Sequence, residues 1–352
     1  MSWYSVIYTR ARKFRSQSPV LGTLLQWSFY VCVLLELLLF ALSTVIYFFI
    51  TTQIIESDIQ ATIYLVVYGF LSFMMLWSYA RVLCTPPMRV PREYEFDEAT
   101  DARLRAVTEF SPEGRPLLQQ CSDAQAAMQR GIMDEFAATR GITLVEVDGR
   151  GRLRYCYECR VLKPDRTHHC MSCGRCAVRF DHHCPYLNSC VAAHNYKFFV
   201  LFLLYLVLWM VWNVIGGAQA IIVYFFTDNY DRLDMILPLC FVWLLQAGSS
   251  WWPLGELLRY HWLLISLNET TCEQAKPPNI RGDWRATYDI GRWKNIELVL
   301  GWGLWLFPVN TAISDGLHHP INYVSPSPEA TLYCVASDRV SAESDQIDNT
   351  LP

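Results

Sequence analysis

Residues 156–190 read CYECRVLKPDRTHHCMSCGRCAVRFDHHCPYLNSC, and this stretch contains its own copy. Cys156, Cys159, His169 and Cys176 recur fourteen residues later as Cys170, Cys173, His183 and Cys190. Each set is Cys-x2-Cys, then a His ten residues on, then a Cys seven further. Three thiolates and one imidazole complete a tetrahedral shell, and these are ligands that zinc selects. Two interleaved Cys3His sites, each holding a structural zinc ion, are therefore expected. The same shift carries Cys170 onto Cys184, but position 187, where the next ligand would fall, is Leu. Cys184 is thus a thiol that the metal sets leave over, in Asp181-His182-His183-Cys184.

A spare thiol beside a spare imidazole is a place for chemistry. A nucleophilic cysteine works as its thiolate, a neighbouring His takes its proton, and a carboxylate fixes that imidazole. With His183 assigned to zinc, His182 and Asp181 are the residues for these tasks. A lone Cys near a membrane is ordinarily inert packing or a lipidation site. Here the surplus Cys, His and Asp occur together, which favours a catalytic centre.

The rest of the chain is too apolar for an ordinary soluble domain: 53% of its 352 residues are hydrophobic and 14% are aromatic. Apolar runs near 24–50, 61–84, 197–226 and 235–262 each reach the roughly 20 residues that span a bilayer core. The fold class expected is an α-helical membrane protein. It has four transmembrane helices and a cytosolic cysteine-rich zinc module of two interleaved Cys3His sites and short β-hairpins. The connection at 51–60 carries Glu56 and Asp58 with no Lys or Arg, and 227–234 carries three Asp and only Arg232. Basic residues gather before the first run, between 85 and 196, and after 263, so both termini and the zinc module are expected in the cytosol. That reducing side suits thiolate ligands and disfavours disulfides. A net charge of -4 offers no footprint for nucleic acid.

These features divide the chain into an N-terminal segment (1–23), spans one and two (24–84), a cytosolic linker (85–155), the zinc domain (156–196) and spans three and four (197–265). A cytosolic C-terminal domain (266–324) and a disordered tail (325–352) follow. Within the linker, residues 122–140 suggest a helix with Asp123 at its N-cap and Gly141 at its C-cap, and residues 142–155 suggest a hairpin. The zinc module is loop-rich, so the metal should supply its folding energy, on the order of 10 kcal/mol per site. The apolar patch from Leu298 to Phe307 is too short to span and should pack back on the domain or lie along the membrane.

On these residues the chain resembles the DHHC family of protein S-acyltransferases. Lys163-Pro164-x-Arg166 precedes the His-Cys pair, and Thr270-Thr271-Cys272-Glu273 fits a TTxE element after the fourth span. Tyr288-Asp289-Ile290-Gly291, followed by Asn295 and Gly301, is similar to the family's C-terminal motif. The resemblance implies a palmitoyltransferase that takes a fatty acyl group from acyl-coenzyme A onto Cys184, with His182 as general base and Asp181 as its orienter. A cysteine of a membrane-associated protein then receives the acyl group. Thr270, Thr271, Glu273 and Asn295 would support the site. Lys163, Arg166 and Arg179 would meet either the phosphates of coenzyme A or anionic lipid. Tyr186 would wall the site, while Phe202 and Trp209, seven residues apart on one helix face, would line the acyl chain, with Trp209 either its stop or a packing residue. The membrane involved would be Golgi, endoplasmic reticulum or plasma membrane.

The sequence departs from the family where Tyr186 replaces a common Trp, Ser189 a common Asn and Ala192 a common Gly. None of these is a ligand or the nucleophile. Two rival readings exist: a membrane-anchored zinc adaptor, ligase or inactive relative that binds partners without acyl transfer, and a channel or transporter. The adaptor does not need the spare Cys-His-Asp set. The channel rests on Glu36, Asn213 and Gln246 within the apolar runs, where polar groups often mark function.

Overall fold

The computed structural model describes residues 31–226, 237–311 and 313–324. The N-terminal segment 1–23, the start of the first span, the 227–234 connection and the tail from 325 lie outside them, as do the side chains of Glu36 and Gln246. The chain runs through α1 (Val31–Ile54), α2 (Asp58–Cys84), α3 (Glu98–Ala106) and α4 (Asp123–Thr139). Six short strands follow: β1 (Tyr155–Cys156), β2 (Val161–Leu162), β3 (His168–Cys170), β4 (Arg175–Ala177), β5 (His182–Cys184) and β6 (Ser189–Val191). Then come α5 (Tyr196–Phe226), α6 (Leu237–Leu267), α7 (Thr271–Ala275) and α8 (Arg292–Leu300).

Helix α5 is the hub of the long helices and packs against α1, α2 and α6. Of the four spans expected, two are long and apolar enough to cross a membrane among the described residues: α2, and α5 from Tyr196 to Gln219. Helix α2 begins at Ser57, whose hydroxyl accepts from the Gln60 amide, and stops at Thr85-Pro86-Pro87, where proline removes the donor a further turn needs. Between α1, α2 and α5 the bundle closes on aromatic rings. Tyr47 stacks on Tyr68 at 4.1 Å between centroids, and Gly216 permits the approach, since a Cβ there would lie 2.9 Å from the Tyr47 ring. Asn213 is buried and donates to Trp209 O of its own helix at 2.5 Å.

The linker has a packed core of its own: Leu104 of α3, Ile132, Met133 and Phe136 of α4, and Leu153, Tyr155 and Leu162 around the first knuckle. Two local expectations are corrected. Ser122, not Asp123, caps α4, because it forms a reciprocal capping box with Gln125. The 142–155 segment makes only an isolated Val147–Leu153 bridge, since Val145 and Val147 pair with Arg281 and Asn279 instead.

The cysteine-rich segment folds as three two-stranded antiparallel hairpins, β1 with β2, β3 with β4 and β5 with β6. Asn195 then fastens the last hairpin to the bundle. Its side-chain oxygen accepts from Ala192 N (2.8 Å), and its amide donates to Cys190 O (3.0 Å) and to Thr85 O (3.3 Å) at the end of α2. Ala192 is fully buried without needing a positive φ, so the absence of glycine there costs nothing in backbone strain. Beyond α8, the apolar Trp302–Phe307 stretch folds back onto α5. Lys197 Nζ donates to Leu304 O (3.3 Å) and Tyr205 Oη to Leu306 O (2.7 Å), while Trp302, Leu304 and Leu306 stay exposed.

Candidate active site

The two predicted ligand sets each converge. His169 Nδ1 lies 3.4, 3.3 and 3.9 Å from the sulfurs of Cys156, Cys159 and Cys176. His183 Nδ1 lies 3.6, 3.3 and 3.8 Å from those of Cys170, Cys173 and Cys190. Bonds of about 2.1–2.3 Å to a tetrahedral zinc put its donors about 3.6–3.8 Å apart, so both sets fit that ion. With four protein donors each, the two metal sites would hold the module's shape and leave no position for a reactant.

The period of a β-strand explains why neighbouring residues separate. In β5–β6, His183 faces Cys190 across the ladder, and Cys184 faces Ser189. Successive side chains point to opposite faces, so His183 turns to its zinc donors while His182 and Cys184 share the other face. The β3–β4 hairpin repeats this: His169 opposes Cys176, and Cys170 faces away, into the next ligand set. Each hairpin hands its last cysteine forward. Cys184 is handed forward to no metal set, because Leu187 fills that position and is buried. The thiol, 7% exposed, instead belongs to the apolar cluster that includes Tyr79 and Val82 of α2, Phe199 and Leu203 of α5, and Ile265 of α6.

On that face His182 stands between an acid and a thiol. Its Nδ1 is 2.6 Å from Asp181 Oδ2, and the Cys184 thiol on the same face of β5 favours its charged form. Burial opposes protonation of His182, but Asp181 and Cys184 outweigh it and raise the imidazole to about 9. For Asp181, burial would raise the carboxyl, yet the bond to His182 holds it below the usual range. Asp181 is itself gripped from α7: Thr271 N donates to its Oδ1 (3.1 Å) and Thr271 Oγ1 to its carbonyl (2.5 Å).

The Thr-Thr-Cys-Glu element divides this labour residue by residue. Thr270 caps α7 reciprocally with Glu273, and Thr271 holds Asp181. Glu273 receives two bonds from Arg166, each 2.7 Å. Asn295, fully buried, ties Asp289 (2.6 Å) and Ser266 O (2.8 Å) together, joining the C-terminal motif to the end of α6.

The family model for DHHC palmitoyltransferase matches residues 150–278, the whole of this metal and thiol region. The chain is 38% identical over 350 residues to palmitoyltransferase spe-10 of Caenorhabditis elegans, covering 98% of this chain and 99% of that one. The chain belongs to the DHHC palmitoyltransferase family. It is also 31% identical over 277 residues to human palmitoyltransferase ZDHHC2 (78% of this chain, 70% of that one). Palmitoyltransferase ZDHHC15 of Xenopus laevis shows 31% identity over 276 residues (78% and 76%). This is therefore an enzyme, a protein S-palmitoyltransferase.

The palmitoyltransferase places its other expected residues unevenly. Arg166 corrects the sequence reading: it is 1% exposed, and its guanidinium is taken up by Glu273, by Asn268 and by the face of Tyr288 at 4.4 Å. No phosphate can meet it. Arg179 lies at a cavity with Lys197, Ser314 and His319, its guanidinium over Tyr196 at 5.2 Å. Burial and the Arg166 charge lower it to about 10. Lys163 is half-buried just after β2. Tyr186 is exposed in the turn between β5 and β6. Phe202 packs on Tyr79 at 4.9 Å, and Trp209 is buried against Phe40 and Tyr68, donating to Ser72 Oγ at 3.1 Å.

Three contributors escaped the sequence reading. Asn268 accepts from Arg166 and Arg179 and donates to Tyr288 O. Tyr196 and His261 pair at 3.1 Å beside His182. The available signal for His261 was an imidazole near the end of an apolar run, where ionisable groups are uncommon.

Proposed function

We propose that the transfer runs through an acyl-enzyme on Cys184. The observation carrying this reading is the His182 ring set between the Asp181 carboxylate and the Cys184 thiol, on the face of β5 opposite the zinc donors. His182 accepts the thiol proton, Asp181 holds the imidazole and offsets its charge, and the sulfur attacks the carbonyl of a fatty acyl-coenzyme A. The new Cys184 thioester forms as the coenzyme A thioester breaks, and the departing thiolate takes a proton. A cysteine thiolate of a membrane-associated protein then attacks the acyl-enzyme and regenerates Cys184. Each step exchanges one thioester for another, so neither needs a separate energy source.

The apolar surroundings of Cys184 support a path for the acyl chain between α1, α2 and α5, in which each buried methylene contributes about 0.8 kcal/mol. Trp209, wedged among Phe40, Tyr68 and Ser72, is the stop on this reading. Arg179 and Lys163 are the cations offered to the coenzyme A phosphates. In the bilayer, α1, α2, α5 and α6 make four spans with both termini and the zinc module cytosolic. The loop charges and the apolar exposed residues of α1 and α2 support this. Two structural zinc ions complete the enzyme.

The test is incorporation of an alkyne-bearing palmitate into the purified chain. The reading expects label released by neutral hydroxylamine and absent from Cys184→Ser. Hydroxylamine-resistant label, or full labelling of Cys184→Ser, would overturn the assignment.

A further inference from the structure

His261 stands against the catalytic centre without a task in the acyl transfer. It projects from α6, is 2% exposed, and its ring centre lies 5.9 Å from that of His182. Donor atoms of Asp181, His182 and His261 all lie within 4.8 Å of one another. Two imidazoles and a carboxylate are the three-ligand set of open zinc sites, which keep a fourth position for another group. Tetrahedral zinc with bonds of about 2.0–2.1 Å sets N and O donors about 3.3 Å apart. The Asp181–His182 contact must therefore open slightly from 2.6 Å while His261 closes in. His182 keeps 29% of its side chain exposed, so an ion can arrive from solvent.

We propose that Asp181, His182 and His261 form a third, exchangeable zinc site whose occupation switches the enzyme off. The donor set differs from the two Cys3His sites in charge. It offers one carboxylate in place of three thiolates, so it releases its ion while the structural pair stays bound. An ion held there takes the His182 lone pair and the Asp181 charge, leaving no imidazole to accept the thiol proton. The inhibitory half rests on the acyl-enzyme reading above; the binding half does not.

The full-length chain, carrying its two zinc ions in detergent, is titrated with buffered free zinc. Zinc per chain and self-acylation from palmitoyl-coenzyme A are read in parallel, each variant against its own rate at low zinc. The wild type should gain a third ion and lose self-acylation, and a chelator should restore two ions and activity. His261→Gln should keep two ions and resist inhibition, since removing a ligand weakens binding by more than the roughly 10–100-fold that losing an outer-shell partner costs. Cys184→Ser should still gain the third ion; its failure to do so would put the ion on the thiol and overturn the donor set.

A wild type that stays at two ions, or a His261→Gln chain that binds the third as tightly, would also overturn the site. A third ion that leaves self-acylation unchanged would overturn the switch. If self-acylation is absent at every zinc level, the acyl-enzyme reading has failed, and the ion count still decides the site. Should His261→Gln misfold, cobalt added to the zinc-loaded wild type decides instead. A nitrogen and oxygen site gives weak absorption, whereas an intense sulfur-to-cobalt band would refute it.

Discussion

Arg166 reaches across 107 residues of chain to Glu273 and binds it with two parallel 2.7 Å bonds, both side chains almost wholly inside the protein. The pair joins the first zinc knuckle to the segment after α6, and Glu273 simultaneously caps α7, from which Thr271 holds Asp181. The Asp181 carboxylate is thus positioned, through Thr271, by an ion pair formed further along the same helix.

Glu273→Gln should therefore destabilise the cysteine-rich module by about 3–5 kcal/mol, because it leaves a buried guanidinium uncompensated. Burial would raise the Glu273 carboxyl, but Arg166 outweighs burial and lowers it from its ordinary 4.5. A carboxyl depressed in the folded state contributes stability above 4.5 that is lost as pH falls through its folded value. The difference between wild type and Glu273→Gln in thermal unfolding should be largest near neutrality and shrink in acid. A difference independent of pH would refute the ion-pair account.

Replacing any one of Cys156, Cys159, His169, Cys176, Cys170, Cys173, His183 or Cys190 should lose zinc and unfold the module, with a stability loss on the order of 10 kcal/mol per site. Cys184→Ser should retain about two zinc ions per chain. Elemental analysis of the purified variants decides it: zinc lost from Cys184→Ser would mean that the spare thiol had been misassigned.

His182→Ala should abolish self-acylation and keep both structural ions, since His182 and the zinc donors lie on opposite faces of β5. Asp181→Asn should lower the protonation of His182 from about 9 towards the ordinary range of 6.5 and reduce self-acylation by up to roughly 10⁴-fold, the loss that follows when the carboxylate orienting a catalytic imidazole becomes an amide. Thr271→Val, which cuts a 2.5 Å bond to Asp181, should cause a smaller loss. Normal self-acylation by His182→Ala would end its assignment as base.

Trp209→Ser should shift self-acylation towards longer acyl-coenzyme A species, measured with competing chain lengths. The ring it removes fills the space between Phe40, Tyr68 and Ser72. An unchanged profile in an active variant would make Trp209 a packing residue and move the length limit elsewhere.

Ligand arithmetic made the metal module readable because zinc geometry fixes both residue type and spacing. Cys184 stood out for the same reason, as the remainder of a counted set. Tertiary partnership was not readable in this way. Lys163-Pro164-x-Arg166 gave no sign that its arginine would be buried against Glu273 and Tyr288, since a cation's partner is set by packing a hundred residues away. His261 was hidden because nothing local links it to residue 182, and only the tertiary fold brings α6 to His182. The linker hairpin failed as a ladder because its first strand found a better partner in 279–281, beyond the reach of a local pattern.

The hairpin that carries Cys184 has a candidate metal ligand on its opposite face at the adjoining residue, His183, and another across the ladder at Cys190. The sulfur cannot advance towards a partner without dragging a coordination sphere along. Under the proposed mechanism this is a fixed anvil, and all the searching must be done by the hammer. Cysteines on loose tails or juxtamembrane linkers can travel to such a point, whereas cysteines locked in folded domains cannot. Breadth of acceptor choice would then arise from the rigidity of the enzyme.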